Sequence, residues 1–154
     1  MIYDIPQVGK IEIRNIILDL NGTLAVHGKI VPGVKERLKK LKELGIEVVL
    51  FTGDHRNNAD KLCQELGIKF KKAKSREGKE ALLLEEFDPE YTAAIGNASI
   101  DNGKFKAAKL AIGTLQSEGI HTEILKYIDV LVPSINDALD LFIDKSALEA
   151  TMRS

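Results

Sequence analysis

Ile16-Ile17-Leu18-Asp19-Leu20-Asn21-Gly22-Thr23 is the stretch on which the fold turns. Its apolar run does not alternate, which suits a strand covered on both faces, and Asn21-Gly22 ends it with a turn. Upstream, Ile11-Glu12-Ile13 has the two-residue period of a half-buried strand, and Val8-Gly9-Lys10 turns the chain after Ile2 to Ile5. Downstream, Pro32 opens a helix carrying Val34, Leu38, Leu41 and Leu44 on one face, and Gly45 stops it. Ile46 to Phe51 is a second buried strand, ending in Thr52-Gly53-Asp54. A helix then reaches Leu66, Ile68 to Phe70 gives a third strand, and Glu80 to Phe87 reads as another helix. Tyr91 to Ile95 is the fourth strand and ends in Gly96-Asn97. Leu110 to Ile112 and Asp129 to Val132 add two more, and Ser134 caps a last helix with Ala138, Leu139, Phe142 and Ile143 inward.

Strands alternating with helices define an α/β chain with a mostly parallel sheet between two helical layers. The expected organisation is a single domain over 1–154, with a β-hairpin extension at 1–14 and the core at 15–145. No Gly-, Pro- or Ser-rich linker, internal repeat or low-complexity tract interrupts it. Ligands of such sheets gather outside the carboxyl ends of the strands. Those ends deliver Asp19, Thr52 and Asn97, with Asp101 close behind, so polar residues distant in sequence are expected to converge.

The bulk numbers narrow the function. Of 154 residues, 44% are hydrophobic and 29% charged, an ordinary globular balance, and the net charge of -1 gives no broad attraction to nucleic acid or anionic membrane. Lys69, Lys71, Lys72, Lys74 and Arg76 form a basic cluster that reads as a solvated edge. Cys63 is the single cysteine and falls on the apolar face of a helix, so it reads as a core residue. With no signal peptide and no long apolar run, a soluble cytoplasmic protein without membrane partners is expected. His27, His55 and His121 lack the spacing of a metal cluster, and only His55 lies near a strand end that matters.

Four segments together resemble the motifs of the haloacid-dehalogenase-like superfamily. Asp19-Leu20-Asn21-Gly22-Thr23 is similar to its opening Asp-x-Asp-x-Thr, and Thr52 after a hydrophobic strand to its second motif. Lys79, 18 residues before Asn97, resembles the third, and Gly96-Asn97-Ala98-Ser99-Ile100-Asp101 the fourth, usually Gly-Asp-x-x-x-Asp. Within the superfamily the likeness is to small soluble proteins similar to the phosphorylation domain of P-type ATPases. It implies a Rossmann-like core and a Mg²⁺-dependent phosphohydrolase acting through an aspartyl phosphate on Asp19, a phosphomonoesterase or an ATPase-like enzyme.

The resemblance also implies the roles. Thr52, Gly53 and Lys79 would bind the phosphoryl group, and Asp19, Asn97, Asp101 and the backbone carbonyl of Asn21 would hold Mg²⁺. A carboxylate is a feeble nucleophile that attacks phosphorus only when the surrounding negative charge is neutralised. Two positions depart from the pattern. Asn21 stands where these phosphatases carry an aspartate acting as general acid and base, a group typically worth about 10²–10⁴-fold in rate. Asn97 stands where a metal-binding aspartate is usual, and a neutral ligand weakens the hold on a hard cation. Slow turnover is expected, and the competing reading is an impaired enzyme that binds a phosphorylated ligand or partner protein.

The intervals from Asp19 to Thr52 and from Thr52 to Lys79 are filled by a short flap (Leu24 to Val31), helices and a strand. Neither can hold a cap domain, because segments below about 40 residues seldom fold unaided. The site is therefore expected to be open. It would accept a phosphorylated small molecule or a phosphoprotein, or be closed by a neighbouring copy in a homo-oligomer.

Overall fold

The structure is a computed structural model that describes residues 1–53 and 58–154. Six strands form one sheet: β3 (Asn15–Leu18), β6 (Glu47–Thr52), β7 (Lys69–Lys72), β8 (Thr92–Gly96), β9 (Leu110–Thr114) and β10 (Val130–Val132). Every pairing is parallel, in the order β10-β9-β8-β3-β6-β7. The order reverses between β3 and β8, and such a reversal opens a crevice at the carboxyl ends of the two strands.

The sequence explains which strands are central. Every residue of β8 and β9 is buried, as are Ile16, Ile17 and Leu18 of β3. One face packs against α1 (Val34–Glu43), α2 (Asn58–Leu66) and α5 (Ile135–Ile143), in a core that includes Ile16, Leu18, Leu38, Leu41, Leu50, Leu139 and Phe142. The other face meets α3 (Arg76–Glu86) and α4 (Asn102–Ala107) through Ile17, Val49, Phe51 and Leu83, and through Ala94, Phe105 and Ala111. Burying a side chain of this size contributes roughly 1.5–3 kcal/mol, so the unbroken apolar runs are what hold these strands inside.

Residues Ile2–Ile5 (β1) and Gly9–Glu12 (β2) pair as the expected antiparallel hairpin. It docks on the carboxyl-terminal helices: Tyr3 donates its hydroxyl to the Phe142 carbonyl at 2.8 Å, and the Asp4 amide reaches Glu149 Oε1 at 2.9 Å. Glu149 belongs to α6 (Lys145–Met152), a helix the sequence reading did not anticipate. Only Leu148 of α6 is buried, too little apolar periodicity to announce it.

Between β3 and α1 stands a two-stranded flap, β4 (Ala25–Val26) with β5 (Lys29–Ile30), antiparallel. Some element ends, such as Leu66, Leu110 and Val132, fall where expected, and others move by up to four residues. The largest shift is α3, which begins at Arg76 because Ser75 caps it, its hydroxyl accepting the Gly78 amide at 2.9 Å.

Candidate functional site

β3 lies between β6 and β8, with Leu18 in register with both Leu50 and Ile95. Asp19 therefore emerges between the two neighbouring strand ends, and its amide continues the ladder by donating to the Ile95 carbonyl at 3.3 Å. Thr52, buried, closes β6 on one side, and Gly96 closes β8 on the other, with Asn97 next in the chain. Lys79 comes from α3, on the far side of the sheet edge, and points its ammonium at 3.4 Å from Asp19 Oδ1 and 2.8 Å from Asp101 Oδ1. Asp19, Lys79 and Asp101 thus meet in one buried cluster.

Asp101 is saturated. Its Oδ1 takes Lys79 and, at 3.0 Å, Lys104 Nζ, while its Oδ2 accepts the backbone amides of Asn97 and Ala98, each at 3.2 Å. Gly96 makes this fold-back possible, since a Cβ there would collide with the Asp101 carboxylate. Gly22 has the matching role in the other turn: its φ is +76°, and a Cβ would strike the Asn97 side-chain amide. The two motif turns therefore lie against each other.

The electrostatics differ sharply within the cluster. Burial, followed by the like charge of Asp101, pushes the Asp19 carboxyl above the usual carboxylate range despite Lys79 and Lys104. Burial acts on Asp101 too, but Lys104 and Lys79 overcome it and hold that carboxyl low. At Lys79 burial is outweighed by Asp19 and Asp101, so its ammonium is held above its ordinary value. At Lys104 burial wins and lowers it, with Asp101 offsetting only part.

Oxygen donors for a hard cation are present. Asp19 offers its carboxylate, and among the described residues the buried Asn97 Oδ1 has no hydrogen-bond partner, although Asn97 Nδ2 donates to the Gly119 carbonyl at 3.1 Å. An orphaned buried carbonyl in a turn that packs against the turn after Asp19 fits a divalent ion that prefers oxygen. Among the described residues no group of three or more His, Cys, Asp or Glu could hold a metal, so such a site would draw on amide and main-chain oxygens.

Loop 115–119 supports the first turn. Gln116 Nε2 donates to the Thr23 carbonyl at 2.7 Å, and Gln116 Oε1 accepts the Ile135 amide that opens α5, at 3.3 Å. Glu118 Oε1 accepts the His27 amide of the flap at 3.4 Å. The sequence reading missed Gln116, Glu118 and Lys104. Only Lys104 had a local signal, its three-residue spacing from Asp101.

Other expectations resolve simply. His55 lies outside the described residues, His27 is on the flap, and His121 accepts the Glu123 amide at 3.2 Å. In the basic cluster, Lys71 pairs with Glu86 and Arg76 with Glu123. Cys63 is buried, its thiol pushed up to about 11 by burial. A groove of about 700 Å³ between α1 and α2 sits at the amino ends of β6 and β7, the edge opposite the cluster. Among the described residues no helix is long and apolar enough to cross a membrane.

A cluster of this kind at the switch point of a six-stranded parallel sheet defines a class, and comparison with known proteins names it. The family of haloacid dehalogenase-like hydrolases matches residues 3–109, and the chain belongs to it. A soluble P-type ATPase-like phosphatase of Methanocaldococcus jannaschii is 25% identical over 123 residues, 77% of this chain and 45% of the relative. The chain thus spans less than half the length of that relative. A copper-exporting P-type ATPase of Vibrio cholerae is 45% identical over 49 residues, 32% of this chain and 5% of the pump.

Among solved structures, the cobalt-bound deoxy-D-mannose-octulosonate 8-phosphate phosphatase of Haemophilus influenzae superposes with a TM-score of 0.73 at 16% identity. That match covers 93% of this chain and 94% of the phosphatase. The 3-deoxy-D-manno-octulosonate 8-phosphate phosphatase of Moraxella catarrhalis, solved with magnesium, phosphate and sugar, gives 0.72 at 18% identity, covering 92% and 94%. At such identities the likeness establishes the fold.

Proposed function

We propose that the chain is a slow, Mg²⁺-dependent phosphohydrolase that works through an aspartyl phosphate on Asp19. The observation that carries this reading is the placement of Asp19 at the switch point with Lys79 Nζ 3.4 Å from its carboxylate. An Asp19 oxygen attacks phosphorus, the bond to the leaving oxygen breaks, and water later hydrolyses the acyl phosphate to regenerate the carboxylate. Thr52 and the Gly53 amide hold phosphoryl oxygens, and Lys79 offsets the charge that builds in the transition state. Asn21 has no proton to give or take, so departure of the leaving group and activation of water both rely on solvent.

Asp19, Asn97 Oδ1 and the Asn21 backbone carbonyl would hold the metal, while Asp101, already engaged by four donors, would brace Asn97 from behind through its backbone amide. When bound, the ion would neutralise charge between the carboxylate and the phosphoryl group. Substrates are phosphorylated small molecules, as for the octulosonate 8-phosphate phosphatases of the same fold, or a phosphoprotein admitted by the uncapped crevice. A second copy closing that crevice would make the working form a homo-oligomer, and light scattering that returned a strict monomer would remove that part.

A second reading has its own support. Asp101 is engaged by four donors, and two amides stand at positions 21 and 97, a combination suited to binding a phosphorylated ligand without turnover. Hydrolysis of p-nitrophenyl phosphate with Mg²⁺ separates the two. The enzyme reading expects activity that is lost with chelator and in Asp19→Ala. Activity that survives Asp19→Ala would sink it, and no activity beside retained phosphate binding would favour the second reading.

A further inference from the structure

Lys104 is the charged group that the reading above does not use. It is fully buried at the start of α4, donates to the Ile95 carbonyl at 2.7 Å, and lies 3.0 Å from Asp101 Oδ1. Asp101 in turn touches Lys79, which touches Asp19. Among the described residues the buried cluster therefore holds two carboxylates and two lysines, formally without net charge before any ligand arrives. Asn21 and Asn97, the other side chains of the two turns at this site, are neutral.

This balance bears on what the site holds. A cavity lined by bare carboxylates attracts a divalent cation first and admits a phosphate dianion only afterwards. In a neutral cluster, Asp101 is already matched by Lys104, and Lys79 is left to face Asp19 and any incoming anion. Taking two charges of opposite sign out of water is costly, and a buried lysine persists only where its charge is matched. Among the described residues Lys104 forms its ion pair with Asp101, through a carboxylate oxygen that it shares with Lys79.

We propose that Lys104 supplies, from inside the protein, part of the positive charge that a divalent cation would otherwise provide, so that the site binds a phosphate dianion without metal. This rests on Asp19 and Lys79 forming the phosphoryl site. Lys104 touches neither ligand, so it is a positioning residue acting through Asp101. Inside a buried cluster, where the effective dielectric is about 20 rather than about 80, one unit charge changes the affinity of a dianion by roughly tenfold or more.

The test is calorimetric titration of inorganic phosphate into the full chain, once with chelator and once with Mg²⁺, followed by titration of Mg²⁺ alone. Wild type is expected to bind phosphate in chelator within roughly tenfold of its affinity in Mg²⁺. In Lys104→Met, metal-free phosphate affinity is expected to fall by roughly tenfold or more while Mg²⁺ affinity rises by a similar factor. Opposite movements are the signature of charge, because damaged packing weakens both ligands together. Phosphate binding by wild type only when Mg²⁺ is present overturns the proposal and leaves Asp19 chemistry standing. No phosphate binding under either condition overturns both, and a Lys104→Met variant that weakens both ligands, or neither, removes the role of Lys104. If that variant fails to fold, the wild-type comparison still decides.

Discussion

The turn after β3 and the turn after β8 each present one aspartate to the same buried cluster, and the two are treated in opposite ways. Asp19 is 8% exposed, meets one lysine at 3.4 Å, and has its carboxyl raised. Asp101 is 0% exposed, takes two lysines and two backbone amides, and has its carboxyl lowered. One carboxylate is left under-compensated and can still gain from a ligand. The other has nothing further to gain. Residue type alone does not make a nucleophile; the supply of donors around it does.

The comparison can be sharpened first at Asn21, in the turn that carries the under-compensated group. Asn21→Asp restores a proton carrier beside Asp19 and is expected to raise turnover of p-nitrophenyl phosphate by about 10²–10⁴-fold at saturating Mg²⁺. A rate unchanged within error would mean that protonation does not limit the reaction. Asp101→Asn breaks the comparison from the other side. It strands Lys104 and weakens the grip on Lys79, so unfolding in urea is expected to show a loss of about 3–5 kcal/mol.

Asp19→Asn should do the reverse. A carboxyl raised in the folded state binds its proton more tightly there than when unfolded, so its contribution to stability falls as pH rises through the folded value. Once pH has risen past the unfolded value, near pH 4, Asp19 is therefore a burden, and Asp19→Asn is expected to raise Tm at pH 7 while leaving it nearly unchanged at pH 3. For Asp101 the sign is opposite: its lowered carboxyl stabilises fully above the unfolded value, near pH 4, and that stability is lost as pH falls through the folded one. The smallest effect is expected at Lys71, whose 2.7 Å pair with Glu86 is partly exposed. Lys71→Ala should shift stability by about 0–1 kcal/mol, and a larger loss would show that exposure is a poor guide to the worth of a lysine in this protein.

How much of this was legible in the sequence follows from what sets each feature. Asp19, Thr52 and Asn97 were readable because each ends a continuous apolar run, and buried parallel strands announce themselves that way. Asp101 was readable as a position but not as a state, since its saturation depends on amides and lysines brought together by folding. Lys104 was hidden because Asn102, Gly103, Lys104 and Phe105 are all buried in succession. A helix buried all round carries no amphipathic stripe, and a lysine in it reads as solvent-facing. The hairpin was visible from its period, whereas α6 leans on it with a single buried side chain and left no pattern.

The outer strands of the sheet carry one more consequence. β7, at one margin, is Lys69-Phe70-Lys71-Lys72, and β10, at the other, is three residues long with Leu131 40% exposed. A parallel sheet open at both sides is a template on which further chains can polymerise by adding strands. At the β7 margin a second copy laid β7 to β7 would bring lysine towards lysine across about 4.8 Å, which disfavours that pairing. At the β10 margin the template is only three residues long, too brief to seed a fibre. The same lysines that look like an idle basic cluster therefore act against strand-to-strand association at that margin.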